Sequence, residues 1–265
     1  MNALTALTTA EIAQRAPQVY TQQPIATVSK KYTFLPTFQI VEDMAKLGWQ
    51  VSDAKTMKST NATQKQFGKH MVVFFNPEIY IKDAQGEIEA YPQILIQNNA
   101  RGWGKLKFSV GIFRLICSNG LIIKDKDLGE FNLRHLGYTF KDLQNLMQTV
   151  VENLPKMVSR INDFSEKVMT PGERRLFATK AIQARFGEEK VVSSSEIDQV
   201  LSISRSQDEG NSLWVTLNTV QESLIRGGFI SIDSKNKERK VRGIKNMFKD
   251  LSLNERLWEV AGEFC

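Results

Sequence analysis

One apolar stretch decides the fold, and it reads Gly111-Ile112-Phe113-Arg114-Leu115-Ile116-Cys117-Ser118-Asn119-Gly120-Leu121-Ile122-Ile123. Its first half is rich in β-branched, aromatic and aliphatic side chains, which is typical of a buried strand. Ser118-Asn119-Gly120 predicts a tight turn, because Asn and Gly tolerate positive φ. The stretch therefore predicts strand, turn and strand at the centre of the fold. Arg114 must be paired there or must face a negatively charged ligand, because an unpaired charge is costly in a core.

Strand patterns also precede this stretch. Residues 70–75 and 91–97 predict two strands, and residues 106–117 predict a third that is long and apolar. The connections are too short for crossover helices, so antiparallel pairing is expected. Pro92 is expected at the start or edge of its strand, because proline cannot donate to a ladder. The polar residues 52–68 predict a long exposed loop.

Apolar residues recur at helical spacing both before and after the predicted strands. A helix is expected from about Thr37 through Leu47, capped by Thr37 or a neighbour, with Phe38, Val41, Met44 and Ala45 on its apolar side. A long helix is expected over 140–168, with Thr139 as its N-cap, Asp142 completing a capping box, and Pro155 kinking or dividing it. Further helices are expected over 173–186, 212–226 and 253–264, and residues 193–196 suggest the cap of a short helix that runs through Leu201.

These elements predict an α+β fold class. An antiparallel sheet with a β-β-β-α-like core would be covered by the long helix and followed by a mainly helical C-terminal part. The predicted division is a flexible N-terminal arm over 1–28, an α+β core over 29–168 and a helical region over 169–265. The arm is expected to hold one short helix over residues 9–15.

Composition narrows the class of protein. The 265 residues carry a formal charge of +6, which permits nucleic-acid binding without requiring it. Cys117 and Cys265 form no disulfide framework, which favours a reducing cytoplasm. No secretory signal or membrane-spanning run is present, so a cytoplasmic protein without membrane partners is expected.

The central stretch also resembles a known signature. Residues 113–121, Phe-Arg-Leu-Ile-Cys-Ser-Asn-Gly-Leu, resemble that of a family of phage- and plasmid-encoded proteins of unknown function. Two other blocks agree in order: Tyr32-Thr33-Phe34-Leu35-Pro36-Thr37 with Gly48-Trp49, and residues 213–228 with Leu253-Asn254 and Leu257-Trp258. The resemblance spans about residues 29–264 and implies a mobile-element context, but it names no activity.

A glycine-rich loop follows the second strand, Asn98-Asn99-Ala100-Arg101-Gly102-Trp103-Gly104-Lys105. In the family that the chain resembles, this loop usually reads Asn-Ser-His-Asp-Gly. The chain keeps Asn98 but lacks the His and Asp, so a hydrolytic role for that pair cannot operate here. The residues present predict a flexible tip that stacks a base on Trp103 and neutralises phosphates. The alternative is a Trp folded back on the sheet edge.

Signatures of catalysis are absent from the sequence. It contains neither a phosphate-cradling Gly-x-x-x-x-Gly-Lys-Ser/Thr nor a Gly-x-Ser-x-Gly elbow. His70 and His135 are far apart, and the cysteines and histidines lack zinc spacing. Cys117 lies in an apolar strand, where a thiolate is disfavoured. No catalytic residue, metal site or cofactor is therefore predicted.

Basic residues form two candidate binding groups. The first group surrounds the second hairpin and comprises Arg101, Trp103, Lys105, Lys107 and Arg114. The second group comprises Arg239, Lys240 and Arg242, within a dense basic run from Lys235 to Lys249. A solvated basic turn is the competing interpretation of that run. Lys107 and Arg114 are separated by an odd number of positions, so they share a face only if a bulge lies between them.

The resulting hypothesis is a phage or plasmid DNA-binding protein for recombination or replication. It would hold single-stranded DNA, or duplex DNA, in a basic groove as a homo-oligomer and anneal complementary strands without ATP. Three strands followed by a helix also form the core of single-strand annealing recombinases, which is an analogy of fold alone. Two alternatives remain: a counter-defence inhibitor that binds a host protein, and a metal-dependent nuclease.

Overall fold

A computed structural model of the chain describes residues 4–28, 32–57, 59–82, 86, 88–102, 106–114, 120–123, 131–133, 138–203, 209–233 and 237–265. For residues 89, 112–114, 120–123 and 131–133 it describes the backbone alone. The chain forms two compact units, which we call the sheet unit (Met1–Leu154) and the helical unit (Pro155–Cys265). The sequence-based division instead separated core and helical region between residues 168 and 169.

The described part of the chain contains helices in both units and a sheet in the first. The helices are α1 Thr9–Arg15, α2 Thr37–Lys46, α3 Ala62–Phe67, α4 Phe140–Glu166, α5 Pro171–Phe186, α6 Ser194–Val200, α7 Leu213–Arg226 and α8 Met247–Gly262, with a 3₁₀ turn at Pro17–Tyr20. The strands are β1 Gln50–Thr56, β2 His70–Phe75, β3 Ile81–Lys82, β4 Ile88–Asn98, β5 Leu106–Arg114, β6 Gly120–Ile123, β7 Phe131–Leu133, β8 Ile230–Ile232 and β9 Glu238–Lys240.

The main sheet has the order β1-β2-β4-β5-β6, with β3 beside β4 and β7 beside β5. Every pairing within it is antiparallel. Short connections allow this arrangement, whereas parallel neighbours would need long crossovers. The predicted α+β class, with an antiparallel sheet and a helical C-terminal part, is confirmed.

The predicted pairing of the two strands is confirmed, but the pair is not central, because β6 lies at one end of the described strand order. β5 and β6 are neighbours, with Val110 opposite Ile123 and Phe113 opposite Gly120. The predicted turn at residues 118–119 lies outside the described residues.

Pro92 lies inside β4 rather than at its start. β2 pairs with β4 as far as Gln93, and β3 takes over at Ala90. Pro92 therefore falls where β4 changes partner, a position at which the missing N–H breaks no continuous ladder on that side. On the other side, Pro92 stands opposite Ile112 of β5.

A buried hydrogen-bond chain joins α2 to two strands. The Asn98 side-chain amide donates to Thr37 Oγ1 at 2.9 Å, and Thr37 Oγ1 lies 2.7 Å from His70 Nε2. His70 Nδ1 lies 3.1 Å from the Gly68 carbonyl, which can only accept, so Nδ1 carries the proton and Nε2 accepts from Thr37. Asn98 also donates to the Leu35 carbonyl at 3.0 Å. Every bond in this chain has one donor and one acceptor, and the histidine is neutral.

The inward face of α2 differs from the predicted one. Pro36 precedes the helix and no side chain caps it, so the predicted Thr cap is wrong. The buried residues are Thr37, Ile40, Asp43 and Met44, whereas Phe38 and Val41 are half-buried and Ala45 is exposed. Polar residues can be buried on this face because each of them has a hydrogen-bond partner.

Asp43 is the second polar residue on that face. It accepts from Lys46 at 2.7 Å and from the Tyr138 hydroxyl at 2.9 Å. Burial and the Asp43 carboxylate together raise the pKa of Tyr138 above its usual value. The pair ties α2 to the residues that precede α4.

The predicted loop over 52–68 is wrong. β1 continues to Thr56, and a short helix, α3, follows with Asn61 as its N-cap. Asn61 Oδ1 accepts from the Gln64 N–H at 3.1 Å, which satisfies one of the free donors of the first turn. Polar composition hid both elements, because β1 is half exposed and α3 buries no side chain.

The N-terminal segment contains the predicted helix and contacts the sheet unit. α1 matches the expected bounds and buries Ile12. The Leu7 N–H donates to the Val51 carbonyl at 2.7 Å, and Arg15 forms an ion pair with Asp53 at 3.1 Å. Further along, the Ile25 N–H donates to a carbonyl in the β4–β5 connection at 2.9 Å. The described residues of the predicted arm are thus anchored at several points.

The long helix α4 begins as predicted and continues through Pro155. Thr139 and Asp142 form the predicted capping box, with bonds of 2.8 Å and 3.2 Å. The predicted apolar stripe is buried at seven positions, Leu143, Met147, Val150, Leu154, Met157, Ile161 and Phe164. The proline does not end the helix, but the two compact units divide immediately before it.

The helical unit contains the second half of α4, the helices α5 to α8 and the β8–β9 strands. Within it, α5 packs against α7 and α8, and α7 packs against α8. Capping boxes at Thr170 and Ser193 begin α5 and α6, and the predicted α7 is confirmed with Ser212 as its N-cap. The predicted start of the last helix at residue 253 is wrong. α8 begins at Met247, because Asn246 caps it.

A backbone crossing closes the helical unit beside α7. The Gly227 N–H bonds back to Ser223 within the helix, and the Ile244 N–H donates to the Ile225 carbonyl at 2.8 Å. A Cβ on Gly243 would lie 2.7 Å from the Arg226 carbonyl oxygen, and one on Gly227 would lie 2.6 Å from the Val241 carbonyl oxygen. Only residues without a side chain allow the two backbones to approach so closely.

Within the part of the chain that the structure describes, no helix is long and apolar enough to span a membrane.

Low pH is expected to destabilise the sheet unit through His70. Burial lowers the pKa of His70 from 6.5 to about 4, so the unfolded chain binds the proton more tightly. This contribution is fully present above pH 6.5 and is lost as the pH falls toward 4. We expect the free energy of unfolding to fall by about 2 kcal/mol between pH 7 and pH 5 from this group.

Urea unfolding of wild type and His70→Gln at both pH values measures the effect. The Gln carbonyl can still accept from Thr37, so the variant should lose most of the added pH dependence. Equal pH dependence in wild type and His70→Gln would contradict the assignment.

Gly243→Ala is expected to destabilise the helical unit by about 1–3 kcal/mol, because its Cβ meets the Arg226 carbonyl oxygen. Gly172→Ala is the matched control, since its Cβ would lie 4.0 Å from the nearest atom. Thermal and urea unfolding compare the two. A Gly243→Ala protein as stable as Gly172→Ala would show that the crossing tolerates a side chain.

Candidate nucleic-acid interface

The first predicted group lies around β4 and β5 of the sheet unit. Lys107 is exposed on β5, opposite Gln97 of β4. Arg101 is half-buried, and its N–H donates to Asn99 Oδ1 at 3.0 Å. Trp103 and Lys105 lie outside the described residues.

Arg114 ends β5, and its side chain also lies outside the described part of the structure. The β4–β5 register is unbroken from Lys107 to Arg114, so no bulge brings the two into phase.

The second predicted group lies in the helical unit, on and after a small hairpin. β8 and β9 pair antiparallel, and Arg239 and Lys240 are exposed on β9. Sequence reasoning treated this region as a basic segment and missed the hairpin. Arg239 is already engaged, because its Nε donates to Asp233 Oδ2 at 2.6 Å. Arg242 is exposed just beyond β9. The two predicted groups thus belong to different compact units.

Arg185 joins the elements that surround Arg242. Its guanidinium donates to the Leu224 carbonyl in the last turn of α7, and to the Arg242 carbonyl at 2.5 Å. The last carbonyls of a helix lack partners within the helix, so this contact caps α7. Burial lowers the pKa of Arg185, although an arginine remains charged at neutral pH. Arg185 therefore fixes the backbone that presents Arg242.

A cleft of about 760 Å³ opens beside this crossing, and we call it the basic cleft. Among the described residues that line it, five are cationic and none is acidic. Its walls are Arg185, Arg242, Gly243, Ile244, Lys245, Asn246, Phe248, Lys249, Ser252, Leu253 and Arg256.

One face of α8 forms a wall of the basic cleft. Lys249, Leu253 and Arg256 lie at the i, i+4 and i+7 positions, which share a helix face. The two charges are about 10 Å apart along the axis by the helical rise. Arg256 Nε also donates to the Ser252 carbonyl at 3.1 Å, which holds its side chain along the helix.

The charges of the basic cleft lack acidic partners. Among the residues that the structure describes, Arg242, Lys245, Lys249 and Arg256 form no ion pair. All four are exposed. Four unpaired cations at the mouth of one concave surface create a positive potential that attracts anions.

A second cavity, of about 830 Å³, adjoins the hairpin, and we call it the hairpin cavity. It shares Arg185 and Arg242 with the basic cleft. Its other cations are neutralised: Arg239 by Asp233, and Lys190 by the buried Glu196 at 2.9 Å.

Glu196 belongs to a satisfied buried network. Its carboxylate accepts from the Ser231 hydroxyl at 2.6 Å and from the Ser193 N–H at 2.9 Å. Burial alone would raise the pKa of Glu196, but these bonds and the one from Lys190 lower it to about 2. The network connects α6 to β8 and fixes one wall of the hairpin cavity.

Within the described ranges, no three His, Cys, Asp or Glu residues cluster as metal ligands. Asn98, which the loop shares with the family pattern, is buried. It takes part in the series of hydrogen bonds with Thr37 and His70. Its role in this structure is to join elements of the sheet unit.

Sequence reasoning named Arg242 but missed four other cationic residues of the basic cleft as site residues: Arg185, Lys245, Lys249 and Arg256. Lys245 and Lys249 lay inside the basic run that the sequence showed. The spacing of seven to Arg256 becomes informative only once α8 is known to begin at Met247. Arg185 carries no local signal, because it comes from a different helix.

Comparisons with known proteins connect the chain to uncharacterised relatives. It is 26% identical over 256 residues to the UPF0380 protein YafZ of Escherichia coli (strain K12), a match covering 96% of this chain and 90% of the relative. The UPF0380 protein YfjQ of the same organism matches with the same identity and coverage. No solved structure matches. The family model described as "Domain of unknown function (DUF932)" matches residues 24–258, and the chain belongs to that family.

Proposed function

We propose that the protein binds single-stranded DNA through its phosphate backbone, with the basic cleft of the helical unit as the main contact. The observation that carries this proposal is the set of four exposed cations in one concave surface that have no acidic partner among the described residues. A balanced surface would pair such charges, as Arg239 and Lys190 are paired nearby.

Several properties of the basic cleft fit a phosphodiester chain. Arg242 and Arg256 offer planar guanidinium groups that bind phosphate oxygens through two bonds, and the lysines offer compact charges. Their spread over two elements suits an extended chain with several phosphates better than a single small anion. The N-terminus of α8 opens at the same place, and its dipole adds positive potential there.

Binding of this kind leaves base edges available. Phosphate contacts position a strand but carry no sequence information, so affinity should depend little on sequence. A strand held by its backbone can pair with a complement, which supports the proposal of annealing without ATP. The phage or plasmid context remains part of the proposal.

Replacing the cleft cations is expected to weaken binding to single-stranded DNA. A Lys245→Gln, Lys249→Gln, Arg256→Gln triple variant should bind a fluorescent oligonucleotide at least about ten-fold more weakly at 150 mM salt. The slope of log K against log salt should fall by about 2, since each lost phosphate contact contributes about 0.7 for single strands. Fluorescence anisotropy across a salt series measures both quantities.

A matched control carries the same change in net charge elsewhere. Lys65, Lys141 and Lys156 are exposed lysines that do not line the basic cleft. Their triple Gln variant should keep nearly wild-type affinity. Equal losses of DNA affinity in the two triple variants would show that net charge alone determines binding, and would contradict the assignment of binding to the basic cleft. No binding by wild type even at low salt would reject DNA binding and direct the search to protein partners.

A further inference from the structure

An exposed aromatic ring lies at the hairpin cavity. Phe186, the last residue of α5, is 41% exposed, although most large apolar side chains of the helical unit are buried. The Arg185 guanidinium lies 5.0 Å from the Phe186 ring centroid, and Phe229 meets the ring edge-on at 6.3 Å. The ring is therefore held in place by its neighbours and still reaches solvent.

The charges of the hairpin cavity do not suit a phosphate. Lys190 and Arg239 are neutralised by Glu196 and Asp233. Glu188 and Glu189 also line the cavity and are exposed. Phosphate next to these two carboxylates would be repelled, whereas an uncharged group with N–H donors would find acceptors.

Arg185 and Arg242 connect the hairpin cavity to the basic cleft. Both line the two concave surfaces, which therefore adjoin each other. A nucleobase has the required character: it is planar and uncharged, and it carries at least one N–H donor. The volume of about 830 Å³ lies in the range of small-molecule pockets.

We propose that the hairpin cavity takes one unpaired nucleobase of the strand whose phosphates occupy the basic cleft, stacked on Phe186 with Glu188 and Glu189 as acceptors for its N–H groups. This inference rests on the proposed function and adds a base subsite to it. A base inside a duplex is stacked and paired, so the subsite selects single strands. The remaining bases of the strand stay free to pair.

Two oligonucleotides of equal length separate the base from the phosphates. One is oligo(dT), and the other carries the same phosphates on abasic tetrahydrofuran residues. Wild type should bind oligo(dT) about ten-fold more tightly than the abasic strand, the usual size of one base stacked on an aromatic side chain. Phe186→Leu keeps an apolar side chain but removes the ring, and should abolish this preference while leaving affinity for the abasic strand unchanged.

Two further variants make the result specific. Phe186→Trp restores a stacking surface and should retain or increase the preference for oligo(dT). Leu176→Ala, at a 51% exposed position on the same helix, is the matched control and should behave as wild type. Thermal unfolding of each variant verifies the fold.

The outcomes distinguish this inference from the proposed function. Binding of both strands with equal affinity by wild type, unchanged in Phe186→Leu, would overturn the base subsite and leave phosphate binding intact. Binding of neither strand would overturn both. Loss of abasic-strand affinity in a folded Phe186→Leu protein would also overturn the subsite, because the ring would then act on the phosphate contacts.

Discussion

The close approach of two backbones beside the C-terminus of α7 is the constraint on which the helical unit depends. Gly227 and Gly243 provide the space, and Arg185 and the Ile244 N–H supply donors to carbonyls that the helix itself cannot satisfy. The same crossing presents Arg242 and directs the chain toward the N-cap of α8, where Lys245 and Lys249 begin the cationic wall. The requirement to satisfy a helix end thus also determines where positive charge is concentrated.

The two concave surfaces of this unit differ more in whether their cations form ion pairs with carboxylates than in how many cations they carry. A net charge of +6 creates no particular binding site for an anion if each cation has a carboxylate beside it. In the hairpin cavity, Glu196 and Asp233 occupy Lys190 and Arg239. In the basic cleft, the described lining residues include no equivalent carboxylate. Two neighbouring surfaces that share Arg185 and Arg242 therefore differ in their charge balance: among the described lining residues, the cations of one are unpaired and those that only the other contains are paired.

The sequence predicted what depends on local pattern and missed what depends on partners. Strands β2 and β5, the long α4 with its Thr139–Asp142 cap, and α7 all follow from periodicity and capping chemistry that a single chain displays. The inward face of α2 was mispredicted because buried Thr37 and Asp43 are acceptable only with His70, Asn98 and Tyr138 as partners, and these are distant in sequence. α3 is short and mostly polar, and β8 and β9 have three residues each, so these elements are too short for a hydrophobic period to predict them. Arg185 joined the site through the packing of α5 against α7, which no local rule contains.

The same reasoning explains why the C-terminal basic run was ambiguous in sequence. A run of lysines and arginines is equally consistent with a solvated turn and with a phosphate site. A phosphate site needs several of these side chains on one surface, and the sequence alone does not show which of them share a surface. Residues on β9 turn out to be partly neutralised by Asp233, while those beyond residue 241 wrap toward α8 and remain unpaired among the described residues. The run is therefore not one patch. Its first part stabilises a hairpin, and its second part, joined by Arg256 from two turns further along α8, forms the concave cationic surface. This division makes residues 242–256, rather than the whole basic run, the segment in which phosphate recognition is physically reasonable.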